Sequence, residues 1–325
     1  MKVIRRNRSQ MNLSMRHFML SYGFVLVVVL VFIGFSLSTG SFLTLGNLID
    51  MMHAVVPMLI LASGLALVIM TGNIDISVGS VVFVTAALGS VLMVRHGVPP
   101  AIAILVVMAA GASCGALSGF IVTVLKVNSF IATLGILFAL RGIALLISKA
   151  RVISIPETLG DLGRIRIGPV FVDILIALGF VFFVHLLHAR TSFGRHLVAI
   201  GGEAEAAKRM GVRVLRVTFL AFLLSGLFAS IGGIFSMLQL GAVTVHYGRG
   251  LEFTAIAVII IGGISLFGGR GSIIPGVLLG VITLAIIETG LIHLGASPYA
   301  YSFVRGGIIF IAMYADSLKS RVYQG

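Results

Sequence analysis

Thr218-Phe-Leu-Ala-Phe-Leu-Leu-Ser-Gly-Leu-Phe-Ala-Ser-Ile-Gly-Gly-Ile-Phe-Ser-Met-Leu238 carries no charge from end to end. About 20 such residues in helical form cross the hydrocarbon core of a bilayer, so the stretch reads as a transmembrane span. Just before it lies the one long charged interruption in the chain, Ile200-Gly-Gly-Glu-Ala-Glu-Ala-Ala-Lys-Arg-Met-Gly-Val-Arg-Val-Leu215. A short polar helix carried between two hydrophobic spans has the look of a docking element. Outward from this pair, breaks in hydrophobicity divide the chain into about ten spans. They fall near 18–38, 54–70, 78–94, 101–125, 130–147, 170–188, 218–238, 254–268, 273–295 and 301–315.

The composition agrees. Of 325 residues, 59% are hydrophobic and 10% charged, with a mean hydropathy of +1.17. A soluble domain carries about 25% charged residues, so an ordinary water-soluble fold is excluded and an all-α polytopic membrane protein is expected. The net charge of +13 does not point to nucleic acid, because the basic residues cluster at span ends, where they orient the chain and meet anionic lipid headgroups. The lone Cys114 sits in a Gly/Ala-rich run and offers no disulfide or zinc chemistry. The histidines lack metal-ligand spacing. There is no Walker A sequence, and no Gly-x-Ser-x-Gly elbow stands out with triad partners.

Lysine and arginine positions set an expected orientation. With the N-terminus inside, the outer loops hold Arg95, Lys149, Arg151, Arg164, Arg166 and Arg249, and Arg141 and Arg305 fall within spans. The remaining 15 of the 23 basic residues (23 less these six and two) lie on the inner side. That bias puts both termini in the cytoplasm. The expected organisation is a cytoplasmic segment 1–17, one transmembrane domain at 18–315 with a cytoplasmic loop at 189–217, and a cytoplasmic tail at 316–325. The basic N-terminus and the long apolar stretch after it read as a retained first helix and not a cleaved signal.

Glycines in small-x-x-x-small spacing, such as Gly111, Gly115 and Gly119, point to close helix packing. The short spans 54–70 and 254–268 are each followed by Gly-rich junctions, as in broken or tilted helices. The segments 68–79 and 258–268 echo one another weakly, each a helix end running into a Gly-rich turn.

Asp75, between Asn73 and Ser77, is flanked by apolar spans. An acid at membrane depth is expensive and by default a functional candidate. It is also well placed to cap the helix that begins near Ser77. Glu252, Glu288 and Arg141 fall toward the outer half of their spans, where they either line a mouth or pair, with Arg141–Glu288 the expected pair. Asn128 before the run at 129–135 reads as an ordinary N-cap.

Taken together, the motifs Gly72-Asn-Ile-Asp-Ile-Ser-Val-Gly-Ser80, Ser129-Phe-Ile-Ala-Thr-Leu-Gly135, Leu140-Arg-Gly142, Thr191-Ser-Phe-Gly-Arg195, Ala199-Ile-Gly-Gly202 and the run Glu252 to Gly271 resemble the permease subunit of ribose-type sugar ABC importers, within the branched-chain amino acid and ribose permease group. Glu205-Ala206-Ala207 followed by Gly211 resembles that group's E-A-A-x-x-x-G pattern. The resemblance implies a non-enzymatic subunit without cofactors, resembling the vitamin B12 importer type. It would sit in a bacterial cytoplasmic membrane and pair with a second copy or a paralogue. A tandem-domain ATPase would grip Glu203, Glu205, Ala206, Ala207 and Gly211, and an extracytoplasmic binding protein would deliver a monosaccharide. Asn73, Asp75, Ser77, Arg141, Glu252 and Glu288 would be the candidates for the passage or its gates. Asn73 departs from the group's usual second glycine. The rival readings are an ion-coupled secondary transporter of a small polar solute, which needs a deep acid relay, and a channel or intramembrane enzyme.

Overall fold

The computed structural model describes residues 28–324. The segment 1–17 and positions 18–27 of the expected first span lie outside the described residues. The described residues begin with α1 (Val28–Ser38), α2 (Leu45–Ala54), α3 (Val56–Met70), α4 (Val78–His96), α5 (Pro100–Thr123) and α6 (Ser129–Ser148). A polar crossing follows, with β1 (Ile153–Ser154), α7 (Glu157–Gly160) and the hairpin of β2 (Arg166–Ile167) and β3 (Val170–Phe171). Then come α8 (Val172–Arg190), α9 (Ser192–Gly202), α10 (Ala204–Arg209) and α11 (Val214–Leu240). The chain ends with β4 (Ala242–Val243), α12 (Leu251–Ile261), α13 (Leu278–His293) and α14 (Pro298–Gln324).

Among the described residues, six helices are long and apolar enough to cross a membrane, and seven if α2 and α3, bent by 44°, form one broken span. Val28–Ser38, Leu251–Ile261 and Tyr299–Ile311 are shorter apolar helices. Two expected spans need redrawing. That at 54–70 starts at Leu45 and bends at Val55, where Pro57 opens the second helix. That at 254–268 stops at Ile261, because Gly263 takes φ +82° and turns the chain. The echo is visible as shape: α3 and α12 each run into a glycine with positive φ, Gly72 at +77° and Gly263 at +82°. Asn73 has no positive φ, so the missing second glycine leaves the turn unstrained.

Helix α3 is buried on every side from Leu59 through Met70, as expected of an all-round apolar helix at the centre of a bundle. It packs against α11, which in turn packs most closely on α5. The α5–α11 seam is made of backbone. A Cβ on Gly115 would run into the Phe222 carbonyl, and one on Gly226 would sit 2.6 Å from the Gly115 nitrogen. In lipid, where apolar area gives helices little reason to associate, such close approach supplies the contact energy. Outward-facing Leu105 and Phe183 remain exposed, as suits a membrane-embedded bundle. Gly226→Leu forces α5 and α11 apart, and overpacking of this kind costs about 1–3 kcal/mol or more. The expected result is a lower melting temperature and poor monodispersity in detergent, whereas Gly142→Leu, at an open position, leaves both unchanged.

At one end of the bundle β1 pairs antiparallel with β4, Ile153 opposite Val243. Beside it Asp173 joins three elements, receiving the Gln239 amide at 3.0 Å and facing His53 Nδ1 at 2.8 Å. His53 stacks on Phe171 at 3.8 Å. Asp173 is therefore a buried structural contact.

Candidate functional site

At the opposite end, three turns meet through glycines. The Gly269 N–H donates to the Met70 carbonyl at 3.0 Å, tying the loop after α12 to the end of α3. A Cβ on Gly268 would lie 2.6 Å from the Gly72 nitrogen and 2.9 Å from Gly201 Cα, and one on Gly269 would lie 2.7 Å from the Gly202 nitrogen. A Cβ on Gly201 would run into the Met70 carbonyl oxygen. Both broken helices therefore rest, backbone on backbone, against the last residues of α9.

Helix α9 opens at Thr191, whose hydroxyl accepts the Gly194 N–H at 3.4 Å, and it buries Leu197 and Ile200. Extended backbone at Glu203 (φ −159°, ψ 101°) separates it from α10. The expected single polar helix is thus two short ones. Helix α10 is exposed apart from Ala207, which is fully buried. Its end is closed by Gly211 N–H to Lys208 O at 3.0 Å and Val212 N–H to Ala207 O at 3.1 Å, with Gly211 at φ +85°. Glu205, Lys208 and Arg213 line a groove of about 610 Å³ against the end of α5.

The unwound stretch 71–77 is held by side chains from two helices, α6 and α11. Asp75 is 1% exposed. Its Oδ1 accepts the Ser77 N–H at 3.0 Å and the Ser77 hydroxyl at 2.5 Å, and its Oδ2 accepts the Ser225 hydroxyl of α11 at 3.1 Å. Asp75 therefore closes the turn that leads into α4 and does not cap it as expected, since the N-cap is Ser77 and no side chain caps the helix. From α6, Ser129 Oγ accepts the Ile74 N–H at 3.2 Å and Thr133 Oγ1 accepts the Ile76 N–H at 3.1 Å. Asn128 caps α6 as expected, accepting Phe130 N–H at 3.0 Å, but the cross-helix roles of Ser129 and Thr133 were not visible in sequence. Asn73 bonds only locally, its amide donating to Thr71 Oγ1 at 3.0 Å. Asp75→Leu strands the hydroxyls of Ser77 and Ser225, at about 1–3 kcal/mol for each buried unpaired group. The expected result is a drop in melting temperature that Asp75→Asn largely avoids.

After β4 the chain turns back into the bundle. The Tyr247 hydroxyl donates to Gly233 O at 2.9 Å, seven residues and so about 10 Å along α11 from Leu240. Gly248 (φ +70°) lies on the Gly79 carbonyl, and Gly79 has no room for a Cβ because the Glu252 carboxylate and the Gly248 carbonyl occupy it. The eleven residues of α12 cover about 16 Å, half of a bilayer core. The expected eighth span is thus a half-helix preceded by a re-entrant strand-like segment. Its start and that of α4 meet inside the bundle.

Arg141 does not pair with Glu288, contrary to expectation. Glu288 on α13 forms an ion pair with Arg305 of α14, and both line a cavity of about 320 Å³ with Gln239 and Thr254. Arg141 instead lies over the Phe83 ring at 5.6 Å, within electrostatic reach of Glu252 and Arg249. The physical reason is the re-entrant segment, which carries Arg249 from its expected outer loop down beside α6. Arg141, Arg249, Glu252 and His246 line a third cavity of about 490 Å³ with Ile76, Phe138 and Phe253.

Residues 47–313 match the family described as branched-chain amino acid transport system / permease component. The chain belongs to this family. The permease is 38% identical over 303 residues to the probable ABC transporter permease protein YphD of Escherichia coli K12, covering 92% of the permease and 90% of that protein. It is 34% identical to the ribose import permease protein RbsC of the same strain, with 91% and 92% covered. It is 35% identical to that strain's galactose/methyl galactoside import permease protein MglC, with 91% and 93% covered. No solved structure matches. Family members are membrane-embedded permease subunits, which accords with the apolar helices here.

Proposed function

We propose that the permease forms the membrane passage of an ABC importer for a neutral monosaccharide such as ribose or galactose. A tandem-domain ATPase drives it from the cytoplasm, an extracytoplasmic sugar-binding protein loads it, and it works as a pair with a second copy or a paralogue. The observation that carries this reading is the form of 192–211. An exposed six-residue helix projects from the bundle, yet its base rests directly on the turns that end α3 and α12. A protein with no external engine has no use for such a handle.

The relatives' names supply the substrate class: ribose for RbsC, galactose and methyl galactoside for MglC. We count ten crossings, the seven above plus α1, α12 and α14, in an arrangement resembling the vitamin B12 importer type. Lys126, Arg190, Lys208, Arg209 and Arg216 share the handle's end of the chain path, so that end faces the cytoplasm of a bacterial inner membrane with both termini. The permease domain spans 18–315 and its coupling loop 189–217. Glu203, Glu205, Ala206, Ala207 and Gly211 meet the ATPase. Asn73, Asp75 and Ser77 shape a gate turn, and Arg141, Glu252 and Glu288 border the solute's route. The ion-coupled reading loses its support, because Asp75 is tied by Ser77 and Ser225 and Glu288 by Arg305.

Affinity purification of the tagged wild-type chain in mild detergent tests the proposal. A copurifying tandem-domain ATPase is expected. A stable permease that reproducibly comes through without one contradicts it.

A further inference from the structure

Two grooves meet on the outside of the bundle where α5 ends and α11 begins. The first, of about 610 Å³, is walled by Lys126 after α5, by Glu205 and Lys208 of α10, and by Arg213 and Arg216 beside the start of α11. The second, of about 320 Å³, is walled by Val124, Phe219 and Leu220. Thr123, Leu215 and Arg216 line both, so the two are continuous. The helical repeat sets their order. Val217 and Thr218 turn into the core, which leaves Leu215, Arg216 and Leu220 outside. Leu220 lies four residues, and so about 6 Å, farther along α11 than Arg216.

The first groove is strongly basic. Lys126, Lys208, Arg213 and Arg216 are exposed, and among the described residues none of them forms an ion pair. Against these four cations stands one carboxylate, Glu205. Like charges gathered without counterions repel one another and favour an anion. The second groove decides which anion. Helices α5 and α11 are both long and apolar enough to cross a membrane, so Phe219 and Leu220 fall on the bilayer side of the cations. A soluble phosphate or an acidic protein segment matches the cations but leaves the apolar groove beneath them unfilled.

We propose that the two grooves are one binding site for an anionic phospholipid, its phosphodiester on the cations and an acyl chain along Val124, Phe219 and Leu220. Basic clusters at the membrane end of a span attract anionic headgroups, and here the cluster comes with a seat for the chain. A zwitterionic lipid fits less well, since it adds a cation to the four already present. Lys208 belongs to α10, whereas Lys126 and Arg216 belong to the bundle, so the headgroup ties the exposed helix to the bundle at the membrane surface. The site stands apart from the proposed solute and its route.

The chain has no tryptophan, so Leu220→Trp places a single fluorophore in the apolar groove. The full-length variant would be reconstituted in mixed vesicles of phosphatidylglycerol and phosphatidylcholine, with bromine on the acyl chains of one lipid or the other as quencher. Phosphatidylglycerol should associate at the fluorophore at least about threefold more strongly than phosphatidylcholine. Adding Lys126→Gln and Arg216→Gln should bring that ratio to about one. Leu105→Trp, exposed near the other end of α5, should show no preference. Millimolar inorganic phosphate should leave the preference in place. Equal association of the two lipids at Leu220→Trp overturns the site, as does a preference that survives the glutamine changes. A preference abolished by inorganic phosphate assigns the cations to a soluble anion and also overturns it. Native mass spectrometry of the permease with a copurified ATPase should still find phosphatidylglycerol bound, and its displacement there gives the cations to that partner instead. Should Leu220→Trp fail to reconstitute, Phe219→Trp reads the same groove. None of these readouts involves transport, so their failure is distinct from failure of the proposed function, in which wild-type permease purifies without any ATPase.

Discussion

Glu205→Arg combined with Gly211→Trp is expected to strip the ATPase from the permease and cut uptake about 100-fold while leaving a membrane-inserted, monodisperse protein. The handle is built so that its two ends fail differently. Glu205 lies in the first turn of α10 and is exposed, so reversing its charge alters the proposed docking face and leaves the bundle alone. Gly211 has open space around it, and what it supplies is its φ of +85°. A side chain there costs about 1–2 kcal/mol in backbone strain and loosens the bonds that close α10 onto Lys208 and Ala207. Neither change reaches the α5–α11 seam. Copurification and size-exclusion profiles check both halves of the expectation, and unchanged uptake in the double variant removes α10 from the coupling role.

Gly201→Val is expected to do something else: the ATPase stays bound, but uptake falls at least about tenfold. Gly201 lies outside α10, and its missing side chain is what lets α9 rest on the Met70 carbonyl and on Gly268. A branched side chain there wedges the handle away from the turns that end α3 and α12. Packed elements of this kind have few discrete arrangements and do not deform smoothly, so a wedge of one side chain breaks the transmission and leaves docking intact. Measuring ATPase copurification, sugar uptake and sugar-stimulated ATP hydrolysis on one preparation checks this. Loss of all three together means that Gly201 only stabilises the fold. Full retention of uptake means that the junction transmits nothing.

Much of this architecture was legible in the chain. The uncharged run at 218–238 forecast α11 and the 4-residue glycine spacing forecast the α5 seam, whereas Asp75, expected to cap α4, closes the turn before it. What sequence concealed were contacts between segments far apart in number. The hydroxyls of Ser129, Thr133 and Ser225 looked like ordinary helix residues, and only the fold brings them onto the turn at 74–77. Arg249 looked like an outer-loop charge because hydropathy has no means of marking a segment that leaves a helix and dips back. The pairing of Glu288 with Arg305 was missed for a related reason: it joins α13 to α14 through tertiary packing that no local pattern encodes. Gly79 and Gly201 read as generic small residues, although each is hemmed in by particular neighbours, Glu252 and Gly248 for the first and Met70, Gly268 and Gly269 for the second.

The claim that this chain is a passive passage worked by a separate ATPase is tested most directly by transport energetics. The copurified complex would be reconstituted in liposomes with ATP on the handle side, the binding protein on the other, and labelled ribose or galactose as solute. Uptake should require ATP and persist when ionophores collapse proton and sodium gradients. Uptake that proceeds without ATP and vanishes with the ionophores would contradict the account.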